Sequence, residues 1–352
     1  VVRAGGFEAR CARTSTTGRR LDTRLAGAHR YSTNLAVRKT RRVQVDLEDV
    51  TPLRFPDGSP VRAASAIAPF GAGFLVVQDD ATHAAWCTPD DVMAIRLLPA
   101  IGGLDTFEKH TGTKHLKPDL EAACPLEMDG RPAVLMMGSG SSIARMRWVL
   151  VVLEDGRPQV TVADMTGLYA AVAASLGVDA DALNLEGACL VDGALRWFHR
   201  GLPSAGLPSG SVDLDLAQVL AAMAGRTSPE AVGVENPLFY DLGDVHGVGL
   251  AVTDAVTLPD GTVLLSAAAE DSPNVIDDGP VTGSALALLV DDVVTDVVAL
   301  PLIDDRVAKV EGLMVVGTDR DTMLLRAVVD VDDHLAPSLA LRLNVRPGVT
   351  RC

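Results

Sequence analysis

The 352-residue sequence predicts an all-β chain closed into a ring, a single β-propeller, and three observations predict it. Five short segments repeat one pattern at intervals of 56, 65, 68 and 57 residues. A turn and a second apolar strand follow each segment. One alternating strand stands alone before the first repeat, while the last repeat ends a strand short. Repeats of roughly 40–50 residues are the signature of propeller blades, each a four-stranded antiparallel sheet, and these run somewhat longer. Five blades are expected, six if two short ones are merged. A β-sandwich has similar hairpins but demands no such period.

The repeated segments are 65–70 (SAIAPF), 121–126 (EAACPL), 186–191 (EGACLV), 254–259 (DAVTLP) and 311–316 (EGLMVV). Each opens on a polar residue, usually acidic, then a tiny one, then an apolar run. The turns after them are 71–73, Asp129-Gly130, Asp192-Gly193, Asp260-Gly261 and 317–319. Asp-Gly between apolar runs signals a hairpin, because both residues tolerate the positive φ of a tight turn. Second strands are expected at 74–77, 133–137, 194–198, 262–267 and 323–329, and outer strands at 92–98, 146–153, 159–163, 212–216, 285–290, 293–300 and 339–345. Two helical insertions lengthen the period. Thr166–Leu176 places Leu168, Val172 and Leu176 on one face behind a threonine cap, and 216–224 aligns Leu216, Leu220 and Met223. Residues 42–50, with Val43, Val45 and Leu47 alternating, supply the missing strand of the last blade and close the ring, which removes exposed sheet edges.

Composition narrows the function classes. With 48% hydrophobic and 22% charged residues the chain folds around a sizeable core, and no stretch approaches the ~20 apolar residues of a membrane span. Residues 1–42 carry 11 Lys+Arg against 2 acids, whereas the remainder has a net charge of −24. A body that acidic repels phosphates, so neither nucleic acid nor an anionic membrane is an expected partner; cations are. Residues 1–41 read as a disordered basic extension, 42–346 as the propeller and 347–352 as a short tail. The extension has the Arg, Ser and Thr of an organelle transit peptide. Residue usage (Ala, Val, Gly and Asp over Lys) instead fits a GC-rich bacterial genome. Five scattered cysteines without a Cys-x-x-Cys pair point to a reducing compartment, the cytoplasm, and to neither disulfides nor a zinc site. A monomer is expected.

Geometry places the candidate site. In a hairpin the start of the first strand and the end of the second lie at the same end. If first strands line the channel, Glu121, Glu186, Asp254 and Glu311 gather at one mouth, with Ser65 as the fifth member. Strand ends add Asp79, Asp80, Ser139, Ser141, His199, Arg200, Glu270, Asp271 and Asp330, and the preceding connections add Lys117 and Lys309. Converging carboxylates suit a hard cation such as Ca²⁺, and crowded like charges need a cation or protons. The competing reading is structural: these glutamates pair with Lys117, Lys309, Arg145 or backbone amides and hold blades in register. His199 beside Arg200 is the candidate proton carrier; Lys117, Arg145, Arg200 and Lys309 are candidate substrate contacts. His110 and His115 read as surface residues, Trp86, Trp148 and Trp197 as packing, and Asp277-Asp278 and Asp291-Asp292 as turn acids. The 138–142 loop (GSGSS) matches neither a nucleophile elbow nor a P-loop.

The steps Glu121-Ala122, Glu186-Gly187 and Glu311-Gly312 and the turn 258–261 (LPDG) resemble the bacterial "esterase-like activity of phytase" propellers and the wider calcium-dependent lactonase group. That resemblance implies a metal-dependent hydrolase of the esterase, lactonase or phosphoesterase kind, with Glu186 or Glu311 as a metal ligand. The lactonases' Asn/Asp ligand set and six blades are not evident here. Segments 184–189, 195–201 and 309–313 are similar to an uncharacterised bacterial propeller family. The alternative function is a non-catalytic propeller that binds a small ligand or partner protein.

Overall fold

The computed structural model describes residues 43–346 apart from 273, 275–278, 320–321, 332 and 334. The expected extension, the tail, Cys11, Cys352 and the pair Asp277-Asp278 lie outside the described residues. Each repeat forms one antiparallel sheet, because all but one of the connections within blades, the 215–233 segment, are too short for a parallel crossover. The order begins with β1 (Gln44–Pro52). Blade 1 follows with β2 (Ala64–Phe70), β3 (Gly73–Gln78), β4 (His83–Cys87) and β5 (Val92–Arg96). Blade 2 is β6 (Leu120–Met128), β7 (Arg131–Gly138), β8 (Arg147–Glu154) and β9 (Arg157–Asp164). Helix α1 (Thr166–Leu176) leads into blade 3: β10 (Leu185–Val191), β11 (Ala194–His199), β12 (Ser209–Leu214), α2 (Leu216–Met223) and β13 (Val234–Tyr240). Blade 4 comprises β14 (Asp244–Val245), β15 (Val248–Thr257), β16 (Val263–Glu270), β17 (Val281–Val290) and β18 (Val293–Ala299). The last blade has β19 (Val310–Asp319), β20 (Thr322–Val329) and β21 (Leu339–Arg346).

The blades number five, not six. Their first strands β2, β6, β10, β15 and β19 each pack on the first strands of both neighbours, so the ring closes around a channel. Strand β1 is the fourth strand of blade 5, paired antiparallel with β21 from Gln44↔Arg346 to Pro52↔Leu339. The tiny residue after each leading polar one has a packing reason. A Cβ on Gly187 would lie 2.7 Å from Asp254 Cα, and one on Gly312 2.8 Å from the Ile67 amide nitrogen, because neighbouring inner strands touch through their backbones there.

Cores fill the wedges between blades. Between blades 2 and 3, Trp148 and Trp197 meet edge to face at 4.9 Å, and Tyr169 of α1 packs on Trp197 at 5.0 Å. The Trp148 indole N–H donates to Tyr169 Oη (2.9 Å), whose hydroxyl donates to the Gly138 carbonyl (2.6 Å), so these two buried polar tips are satisfied, while the Trp197 indole N–H has no partner among the described residues. Both tryptophans are packing residues, as expected.

Four local readings change. Met165, not a threonine, occupies the N-cap of α1, and Asp164 Oδ1 accepts from the Thr166 amide at 2.9 Å. Helix α2, capped by Asp215 through the Gln218 amide, buries Val219, Ala222 and Met223; Leu216 and Leu220 flank that face half-buried. Residues Gly317–Asp319, expected as a turn, continue β19 and pair with Leu324, Met323 and Thr322 after a bulge. Strands β4 and β13 escaped the sequence reading. One is only His83–Cys87 and rich in alanine, and the other carries Pro237 at a blade edge, where a missing N–H is tolerated. No helix among the described residues is long and apolar enough to cross a membrane.

Candidate functional site

Every inner strand carries a β-bulge near the same mouth of the channel. The register steps between Ala64/Ala66, Leu120/Ala122, Leu185/Ala188, Val252/Asp254 and Val310/Gly312. A bulge inserts one unpaired residue and re-aims its side chain. The residues so displayed are Ser65, Glu121, Glu186, Thr253 and Glu311. In blade 4 the ring member is therefore Thr253, one residue before the expected Asp254. The two hydroxyls confirm the equivalence: Ser65 Oγ donates to the Leu120 carbonyl, and Thr253 Oγ1 to the Val310 carbonyl, both at 2.6 Å. Each thereby ties its blade to the residue preceding the next blade's glutamate.

A polar cavity of ≈ 530 Å³ opens above this ring. Three ionic groups line it, one of them Arg62 with Asp80 (2.7 Å) and Glu108. On one side Lys117 bonds Asp79 and reaches Asp119 Oδ1 at 2.5 Å and Glu121 Oε1 at 3.9 Å. Asp119 Oδ2 also accepts from Arg145 Nη1 (2.9 Å), Ser141 Oγ (3.2 Å) and Ser139 Oγ. On the other side Glu270 Oε2 holds Arg200 Nη2 at 2.6 Å and Lys309 Nζ at 2.9 Å. Lys309 reaches Glu311 Oε1 at 2.7 Å, while Glu186 Oε1 accepts from Asn184 Nδ2 (2.8 Å) and Arg200 Nη1 (3.2 Å). Ser272 Oγ and the Gly279 amide complete Glu270, each at 2.8 Å.

Burial and pairing separate these acids electrostatically. Burial tends to raise Asp119, but Lys117 and Arg145 hold it at about 2. Glu270 is likewise kept well below the carboxylate range by Lys309 and Arg200 against its burial. The displayed glutamates go the other way. Burial, then the charges of Asp119 and Asp79, push Glu121 well above its ordinary value, and burial pushes Glu186 up to about 7 despite Arg200. Glu311 is raised by burial too. One mouth thus holds fixed anions beside carboxyls whose pKa values burial raises.

Of the residues singled out from sequence, Glu121, Glu186, Glu311, Lys117, Arg145, Arg200 and Lys309 all line the cavity. Asp254 and His199 do not. Asp254 lies beneath the mouth and is almost fully buried. Its Oδ2 accepts from the Leu313 amide at 2.6 Å, and burial raises its pKa well above the usual range. His199, fully buried, shares Nδ1 with the Asn184 carbonyl at 2.9 Å, and burial lowers its pKa to about 4, so it is a neutral wall residue. Sequence reading missed Asp119 and the loop bearing Phe107, Glu108, Lys109, His110 and Lys114, which forms one side of the cavity. His110, expected at the plain surface, faces it and lies 2.9 Å from Glu108. The signal in 117–121 (KPDLE) was the crowding of Lys117, Asp119 and Glu121 at the start of β6, where Asp119 takes a positive φ just before the strand.

Asp79, Asp119 and Glu121 can hold a metal ion, since one oxygen from each lies within 4.8 Å of the others. The donor set, oxygens only, suits a hard cation. Lys117 competes for the same oxygens, so an ion would enter as its ammonium moves aside. The three free cysteines Cys87, Cys124 and Cys189 are buried elsewhere.

The chain is similar in architecture to solved propeller structures. A luciferin-regenerating enzyme aligns over 81% of this chain and 78% of its own (11% identity, TM-score 0.37). The mannose phosphorylase MPT-4 from Leishmania mexicana aligns over 84% and 88% (12%, TM-score 0.44). The β-1,3-galactosidase BT0265 aligns over 84% and 58% (7%, TM-score 0.45). Likeness this distant transfers no activity. No curated protein matches the sequence. Residues 113–334, which contain Asp119 and all three displayed glutamates, match one family along more than half the chain: the protein belongs to the Family of unknown function (DUF6910).

Proposed function

We propose that the mouth is a hydrolytic site for a small ester, lactone or phosphoester, working with a divalent cation, Ca²⁺ by donor type. The observation that carries this reading is Glu121. Among the described residues its one ion-pair contact is Lys117 at 3.9 Å, and it stands with Asp79 and Asp119 at the wall of a polar cavity of ≈ 530 Å³. What a divalent cation supplies when bound at such a set is polarisation of the substrate oxygen. The chain supplies the rest. Glu121 serves with Asp79 and Asp119 as an oxygen ligand, while Glu186, pushed up to about 7 by burial and lining the same cavity, is the group that can donate a proton to a leaving oxygen. Lys117, once released from Asp79, and Arg145, Arg200 and Lys309 steady an anionic substrate group.

The test is turnover of p-nitrophenyl acetate, p-nitrophenyl phosphate and a simple lactone with and without Ca²⁺, for the native chain and Glu121→Gln. Calcium-dependent turnover lost in Glu121→Gln supports the proposal. Melting in Ca²⁺ against EDTA gives the binding readout: at a hundredfold excess over Kd a ligand adds roughly 2.7 kcal/mol to stability. A second reading, a non-catalytic ligand site stitched by ion pairs, is favoured by one observation. Arg62, Lys117, Arg145, Arg200 and Lys309 each already hold a carboxylate. A calcium shift in melting without turnover of any substrate selects it, and no shift and no turnover rejects the metal site.

A further inference from the structure

Beneath the ring of bulges the channel changes character. A second chamber of ≈ 240 Å³ is built from the inner strands of all five blades. Its walls come from Ile67, Cys124, Cys189, Ala255, Leu313 and Met314, all buried. Its outer rim is Pro69, Pro125, Leu190, Val256 and Val315, on the side of the hairpin turns. No charged side chain lines it. The one hydroxyl, Thr257 Oγ1, is spent on the Leu190 carbonyl at 2.6 Å, and Pro69 and Pro125 have no N–H to offer. Burial keeps the Cys124 and Cys189 thiols protonated, the latter pushed up to about 12.

The chamber shares no lining residue with the polar mouth. Between them, at the level of Gly187, Asp254 and Gly312, neighbouring inner strands pack so closely side by side that a Cβ on either glycine would collide with a neighbour's backbone. Asp254 lies at this level, tied to the Leu313 amide across the blade boundary. Packed interiors leave few voids larger than a water molecule, and apolar cavities of roughly 150 Å³ stay dry and accept benzene. This one is larger, is lined by apolar side chains with only backbone polar groups between them, and is reached from the face opposite the mouth.

We infer that the lower chamber is a binding site for a small, uncharged, apolar molecule, of one aromatic ring up to a fused bicycle. Charge is disfavoured because no lining side chain is ionic, and a strongly polar solute would find only backbone groups to replace its bonds to water. The inference uses nothing from the hydrolytic reading of the mouth.

The experiment uses the full chain with benzene and indole as probes and glucose as the polar control. Methionine methyl groups labelled with ¹³C report position. Met314 lines the chamber, whereas Met323 lines a different apolar cleft of ≈ 250 Å³ between blades 4 and 5. The expected result is a saturable shift of the Met314 methyl with direct cross-peaks to probe protons, a higher melting temperature, and no response to glucose. Cys124→Leu and Ala255→Leu, which fill the chamber, should each abolish the shift. Absence of a Met314 response at saturating benzene overturns the inference. So do cross-peaks to Met323 alone, or a Met314 shift that survives in a folded, filled variant. If neither variant folds, the cross-peaks in the native chain decide.

Discussion

Glu186 makes the stability of this protein fall as the pH rises toward neutrality. Its carboxyl is buried, bonded to Asn184 and Arg200, and still pushed from an ordinary value near 4.5 to about 7, because burial and the neighbouring Glu311 and Glu270 outweigh Arg200. For an acid whose folded pKa is raised, the favourable contribution is complete below the unfolded value and is lost as pH rises through the folded one. The window is therefore pH 4.5 to about 7, and the gap corresponds to about 3 kcal/mol. Asp119 runs the other way: its contribution is present above its ordinary 3.8 and disappears as pH falls toward 2. Glu186→Gln keeps the oxygen that accepts from Asn184 and removes the titration. Arg200 keeps Glu270 at 2.6 Å. Urea unfolding of both proteins at pH 5 and pH 8 measures the effect. The native chain should lose stability between them, and the variant should lose less by about 3 kcal/mol at most, the remainder arising from the other raised carboxyls: Asp80, raised to about 7 by burial and Asp79, and Glu121, Glu311 and Asp254. Identical pH slopes for the two proteins would refute the reasoning.

Three further outcomes are expected. A chain beginning at residue 53 should melt well below one beginning at residue 43, because β21 loses its partner from Gln44 to Pro52 and blade 5 gains an open edge; equal melting would remove β1 from the ring closure. Gly187→Ala should destabilise by more than the ~1 kcal/mol typical of point substitutions, since φ is +74° and the new Cβ would stand 2.7 Å from Asp254 Cα, and thermal denaturation reads it directly. Asp254→Asn should be nearly neutral, because burial already disfavours the charge and asparagine keeps an acceptor for the Leu313 amide, whereas Asp254→Ala orphans that amide at about 1–3 kcal/mol. A large loss in Asp254→Asn would mean the carboxylate is ionised in the native state.

The propeller was legible in the sequence because its causes are local and repeated. Asp129-Gly130 and Asp192-Gly193 adopt the positive φ their type predicts, and the Leu168, Val172 and Leu176 stripe of α1 is buried as its spacing requires. The unpaired strand before the first repeat named its own partner by elimination. The gathering of acids at one mouth followed from hairpin geometry alone.

Which acids face the cavity was decided only in three dimensions. A side-chain period of two makes the exposed face hang on a single residue of register, and a bulge spends that residue without marking the sequence. Thr253 consequently takes the place that an alignment of acids gave to Asp254, and Asp254 turns inward to a backbone amide. His199 ends its strand at the right height but against the wall, held by the Asn184 carbonyl. The pairing of Glu270 with Arg200 and Lys309, and of Asp119 with Lys117 and Arg145, joins residues from separate strands, loops or blades. Coulomb attraction and desolvation act through space, so the protonation of this mouth is a property of the closed ring, not of any segment within it.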